Sequence, residues 1–318
     1  MTVKSAWAAL AGALVLALAA LASAADPVGV LTEIRGERGR VEVKRAGEPE
    51  WKPAQPLLAL RPGDQIRATG EARASLVFTG GRGAQAVSAA NSPFTVQAPT
   101  AAGASDKVRA LVGGITDFLA GKQKDLAYLP LSVRAVRPPR VAQLEPRETK
   151  LLPGAVTFEW SGSDTLRYKI RVLGPQGILW EQANLPRKPV VYPASAEGLE
   201  PGVRYFWQLE TEGQPMQQAE FQILPAPEAK RVRESLDILV PASLPGYPPS
   251  SVALMRAGYV LRDGLFADAR RELLTALAGD PDEPTLHLLL GQVYDTIGLG
   301  ELAQREFIEA RDLSGRRP

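Results

Sequence analysis

The chain has 318 residues, of which 45% are apolar and 23% charged, a composition that builds two or more globular cores rather than a disordered chain. Lys and Arg number 37 against 35 Asp and Glu, so the net charge of +2 creates no field that would draw nucleic acid. Having no cysteine excludes disulfides, thiolate nucleophiles and Cys-based zinc sites, and a single histidine, His287, excludes His-rich metal clusters; the expectation is binding without catalysis, and without a cofactor.

Residues 1–24 carry one charge, Lys4, then an Ala/Leu-rich apolar stretch, then Ala22-Ser23-Ala24. Small residues at the two positions that a signal peptidase reads predict a cleaved secretory signal peptide. The alternative is an uncleaved anchor, since the stretch nearly reaches the roughly 20 residues that span a bilayer. No cysteine is present to be acylated, so a lipoprotein is not expected. The expected location is the periplasm or the exterior, with no transmembrane span in the mature chain.

Residues 28–97 read as a β domain. Val41 and Val43 share one face with Arg45, and Ala72, Ala74, Leu76 and Phe78 alternate with Arg73, Ser75 and Val77. A period of two with glycines between segments means strands. Between them, Pro62 presets a turn, Gly63 supplies a positive φ, and Asp64 is expected to bond backbone amides beyond the turn. Leu60, Pro62, Gly63, Asp64, Ile66 and Thr69, followed by Arg73-Ala74-Ser75-Leu76-Val77-Phe78 and Gly80-Gly81, resemble the FecR-like domain of bacterial envelope and signalling proteins. That resemblance implies a small β domain for regulation or binding, with no catalytic residues. In that family sigma-factor regulation goes with a cytoplasmic segment and a membrane helix, neither of which is expected here, so that role is not carried over.

In 105–137, a helix with Val108, Leu111, Val112, Ile115, Phe118 and Leu119 on one face leads into a linker. Gly113 and Gly114 weaken that helix by about 1 kcal/mol each relative to Ala, so it should depend on a neighbour. The expected neighbour is an end of the β domain; docking to a partner is the alternative. The Arg-rich run 134–140 lacks interleaved aromatics, which speaks against nucleic acid.

Residues 141–225 alternate again, through Val156, Phe158 and Trp160, then Tyr168, Ile170 and Val172, then Tyr205, Trp207 and Leu209, which predicts a β-sandwich. Leu199, Pro201, Gly202, Tyr205 and Trp207 resemble the signature of fibronectin type III-like domains. The resemblance implies that Tyr205 bonds back to the preceding corner and that Leu199 plugs the core. Trp160 and Trp207 fall at inward positions and read as core, while the face of Trp180 is open.

Residues 228–249 hold a short helix, with Ala229, Val232, Leu236 and Leu239 at helical spacing, and a Pro-rich linker. In 250–318 the sequence repeats at a shift of 34: Ala257 aligns with Gly291, Val260 with Tyr294, Gly264 with Gly298, Ala269 with Ala303, Leu273 with Phe307 and Ala276 with Ala310. This resembles two tetratricopeptide (TPR) repeats. Gly291 and Ala303 would let two helices of a hairpin approach closely, with Tyr294 and Phe307 between hairpins and His287 packed. Two repeats are fewer than the three that usually stand alone, so the 228–249 helix is expected to cap them. Asp280, Asp282 and Glu283 straddle prolines and read as acids favouring the next helix N-terminus, because no ordered calcium-loop pattern accompanies them.

The expected fold class is multi-domain β plus α. The resemblance to TPR modules implies protein partners in the cell envelope, gripped by the inner face of the first helix of each repeat. The 34-residue register puts Arg262, Gln292, Asp295 and Thr296 there. The alternative is a peptidoglycan- or polysaccharide-binding component whose β domains carry the specificity through exposed, coplanar aromatics.

Overall fold

The computed structural model describes residues 26–36, 38–97, 106–126 and 141–315. Residues 1–24, expected to be a signal peptide, and residues 127–140, expected to be a linker with an Arg-rich run, lie outside the described residues. Within them the fold is mixed β and α, with four sheets and six helices. No described helix is long and apolar enough to cross a membrane.

The first β region contains β1 (Gly29–Arg35), β2 (Val41–Lys44), β3 (Lys52–Pro53), β4 (Ala59–Leu60), β5 (Gln65–Ala68), β6 (Arg73–Phe78), β7 (Ala84–Ser88) and β8 (Phe94–Thr95). They form two antiparallel sheets, ordered β4-β1-β6-β7 and β3-β2-β5-β8. Leu31, Val43, Ile66 and Leu76 are buried between them. At the proline turn Gly63 has φ +88°, a conformation only glycine adopts freely. Asp64 is buried there and does bond amides, but not beyond the turn. Its Oδ1 accepts from Ala46 N (2.9 Å), and its Oδ2 accepts from Arg61 N (2.9 Å) and Arg45 Nη1 (2.7 Å). Its carboxylate thus ties this turn to the one after β2.

Strand β6 departs from simple alternation, for every residue after Arg73 is buried. Ser75 donates to Glu33 Oε2 (2.7 Å), and Val77 enters a core shared with the helices. A sheet covered on both faces loses its polar alternation. Part of the cover is α1 (Asp106–Leu126), which buries Val112, Ile115 and Leu119. A Cβ on Gly113 would come within 3.0 Å of Gly80 Cα, so that glycine is what lets α1 lie on the turn after β6.

The second β region contains β9 (Ala142–Glu145), β10 (Thr149–Leu151), β11 (Thr157–Ser161), β12 (Tyr168–Gly174), β13 (Gly177–Leu185), β14 (Val190–Val191), β15 (Arg204–Thr211) and β16 (Gln217–Ile223). A five-stranded sheet, β10-β16-β15-β12-β13, faces a three-stranded one, β14-β11-β9, across a core of Phe158, Tyr168, Ile170, Trp207 and Phe221. Only β10 pairs in parallel, with β16. Tyr205 Oη accepts from Glu200 N (2.7 Å), and Trp207 Nε1 donates to Pro146 O (2.5 Å), so both polar tips are met inside or at the edge of this core.

Five helices follow: α2 (Ala226–Ile238), α3 (Pro249–Arg262), α4 (Phe266–Gly279), α5 (Pro284–Thr296) and α6 (Gly300–Gly315). Helices α3/α4 and α5/α6 are hairpins, and their turns carry Gly264 (φ +83°) and Gly298 (φ +75°) at equivalent positions of the 34-residue register. A Cβ on Gly291 would meet the Phe307 ring at 2.5 Å, so Phe307 fills its own hairpin rather than the space between hairpins. Tyr294 does reach across, to Arg270 on α4. Helix α2 packs Ala229 and Val232 on this core, and Arg256 Nη1 donates to the carbonyls of Leu236 (3.0 Å) and Leu239 (3.2 Å) at its C-terminal end.

Candidate functional site

The first helices of the two hairpins, α3 and α5, pack side by side. Both are apolar around most of their circumference, and the chain itself covers what the second helices leave open. Helix α1 lies on α3, where a Cβ on Gly258 would meet Leu119 at 3.1 Å and Ile115 at 3.2 Å. Strand β1 abuts both helices; Thr32 Oγ1 and Ser251 Oγ are 2.8 Å apart across this seam. Small residues at 251 and 258 are what permit so close an approach.

The four residues assigned to the inner face divide into two pairs. Gln292 is only 8% exposed, with Nε2 3.5 Å from Lys122 O of α1 and Oε1 buried without a partner. Arg262 stacks its guanidinium over Tyr259 (5.1 Å to the ring centroid), bonds Asp263 Oδ1 (3.2 Å), and has Nη1 3.3 Å from where a Gly114 Cβ would stand. Asp295 and Thr296 are exposed, and the Thr296 hydroxyl donates to Gln292 O (2.8 Å). Two of the four therefore meet α1 and two stand open at the rim beyond it. Ser251 and Gly258 were not singled out by register, although small residues on an otherwise apolar helix were the available signal.

On the other side, α4 meets the second β region through charge. Arg270, its side chain 7% exposed, donates through Nη1 to Glu159 Oε2 (2.7 Å) and Glu145 Oε2 (3.1 Å). Arg271 joins Glu145 Oε1 (3.1 Å) to Asp268 Oδ1 (2.6 Å). Bonds to backbone carbonyls reinforce the contact, with Lys150 N donating to Gly264 O (2.9 Å) and the Arg147 side chain donating through Nε to Ile297 O (2.7 Å). Burial pushes the Glu145 and Asp268 carboxyls up, against the pull of the neighbouring arginines. For Arg270, burial is the largest influence and opposes the charge, but Glu159 and Tyr294 together outweigh it and raise the pKa. A cleft of about 340 Å³ opens here, lined by Glu145, Glu159, Asp268 and Arg271 beside the 151–157 loop. Glu145 and Glu159 are engaged by arginine, as is one oxygen of Asp268, which suits a clamp between elements better than proton transfer.

The aromatic side chains of the β regions are held by packing. Trp160 and Trp207 are buried; Trp180 lies between Phe158 (6.1 Å) and Tyr192 (5.7 Å); Trp51 sits under Arg67 (4.4 Å) and Lys44 (5.3 Å). His287 is pinned on both nitrogens, Nδ1 2.7 Å from Glu306 Oε2 and Nε2 2.8 Å from Pro281 O. No protein-family model matches the chain, and no curated protein matches it.

Proposed function

We propose that this is an exported, non-catalytic protein of the cell envelope that works by binding other proteins. In this reading it comprises a FecR-like β domain, a fibronectin type III-like sandwich and a TPR module of two repeats capped by α2. The observation that carries it is the α3/α5 face. That surface already holds a 21-residue helix, α1, lengthwise against small residues, and leaves a polar rim beyond it. The partner is a protein segment that meets the rim at Asp295 and Thr296 and reaches the exposed Arg262 beside α1. Engagement of the tryptophans by their own neighbours favours this over polysaccharide recognition, which needs flat aromatic faces free for sugar rings.

The test is affinity capture from envelope extracts followed by calorimetric titration of the captured protein against wild type and an Arg262→Ala/Asp295→Ala double variant. Charged groups buried against a partner are worth roughly 2 kcal/mol or more when truncated. The expected result is that loss with a nearly unchanged melting temperature. Unchanged affinity in the folded variant would remove the rim from the account and return the question to the β regions.

A further inference from the structure

The turn joining α4 to α5 presses on the far end of β1. Ile34 N donates to Glu283 Oε1 across the seam (3.3 Å), and Thr285 N donates to the same oxygen (3.1 Å), so Glu283 caps α5 and latches the strand at once. Two more acids join it: one carboxylate oxygen from each of Glu33, Asp280 and Glu283 lies within 4.8 Å of the other two. Arg35 answers part of this charge, with Nε 2.6 Å from Glu33 Oε1 and Nη2 bonded to Asp280. Ser75 Oγ donates to Glu33 Oε2 at 2.7 Å. One guanidinium against three carboxylates leaves an excess of negative charge where Glu283 is fully buried and Glu33 is 9% exposed.

Acidic clusters are common, and most need no ligand. This one differs in Glu283 Oε2, which is buried and has no hydrogen-bond partner; the Thr285 hydroxyl, also buried, has none either. A buried carboxylate oxygen beside other acids is costly unless positive charge reaches it.

We infer that Glu33, Asp280 and Glu283 bind a calcium ion at the seam between β1 and the α4–α5 turn. All three donors are carboxylates, and the free Thr285 hydroxyl is another hard oxygen, a set that suits a hard cation and not zinc or copper. Magnesium keeps several of its waters, whereas calcium accepts irregular protein oxygens. A calcium ion here draws one ligand from β1 and two from the helical hairpins, so it fastens the first β region to them.

The experiment is calorimetric titration of the chelator-stripped full chain with calcium chloride, paired with melting curves in calcium and in chelator. The expected result is saturable binding of one ion per chain, a higher melting temperature in calcium, and weaker binding of magnesium. Glu283→Gln keeps the shape of the cap and removes its charge, so it should fold, and should bind calcium at least about tenfold more weakly. Glu33→Gln should do the same from the other side of the seam. Absence of saturable binding and of any melting shift at millimolar calcium overturns the assignment. So does a calcium response that survives in both variants, or magnesium binding as tight as calcium.

Discussion

The two β regions meet the helical hairpins in opposite ways. The first shares a core with them: Val30, Leu57 and Val77 are continuous with α1 and with the inner sides of α3 and α5. The second keeps most of its core to itself: the helices contribute only Ala267 to it, it lends Ala142 and Leu224 to theirs, and it meets α4 through arginines and carboxylates. Apolar contact is non-directional and hard to screen, so the first seam gives cohesion. Buried ion pairs barely repay their desolvation, and their use is to fix one arrangement among several. Cohesion on one side and orientation on the other is what the contrast amounts to.

The most forceful way to break this contrast is Arg270→Ala. It leaves Glu159 without its arginine and Glu145 with only the half-exposed Arg271, and breaking a buried ion pair by removing one partner costs about 3 to 5 kcal/mol. Urea denaturation measures it; a loss under 1 kcal/mol would mean that charge does not hold the second seam. Next is Leu119→Ala in α1, where a fully buried side chain lies against Gly258. A cost of about 3 kcal/mol is expected, nearly independent of salt, with the first β region and the helices still melting together. Two separate transitions would show that the shared core is not one cooperative unit.

The smallest effect sharpens the contrast inside the helices. His287 has an acceptor at each ring nitrogen, which suits the doubly protonated ring. Burial opposes that charge, but Glu306 and the Pro281 carbonyl outweigh it and hold the pKa above its ordinary value. A folded-state pKa above the unfolded one, about 6.5, gives stability that is fully present below that pH and fades as pH rises through the raised value. Wild type should therefore lose more stability than His287→Gln between about pH 6 and pH 9 in paired denaturation curves. Equal losses would show that the α5/α6 hairpin does not depend on this contact.

Much of this was legible in the sequence, for reasons that differ by region. Alternation at Val41/Val43 and at Tyr205/Trp207/Leu209 marks strands because their partners lie close in sequence and one face is buried. The 34-residue register located Gly264, Gly298 and Gly291 because each is demanded by local geometry. The seams were not legible. Arg270 and Arg271 are neighbours of one type, yet one is buried against two acids and the other is half exposed. Nothing within a few residues of either distinguishes them. Ser75 and Val77 fall on the outward face by alternation and are buried only because elements from elsewhere in the chain cover β6. The acids at 280–283 point correctly to a helix N-terminus, which Glu283 caps, but Glu33 is invisible from there.

The bonds between β1 and the helices link residues far apart in the chain: Thr32 with Ser251 across 219 positions, and Ile34 with Glu283 across 249. Such non-local pairing is slow to form, because the loop must close before any contact rewards it. Chains emerge from the ribosome at about 5 to 20 residues per second, so β1 waits on the order of tens of seconds for Glu283 to exist. Throughout that interval Val30 and Val77 lie on a sheet that has only part of its cover, first α1 and then α3. The first region to be made is thus among the last to be finished, and a chain cut short before α5 is left with an apolar sheet face only partly covered and prone to aggregation.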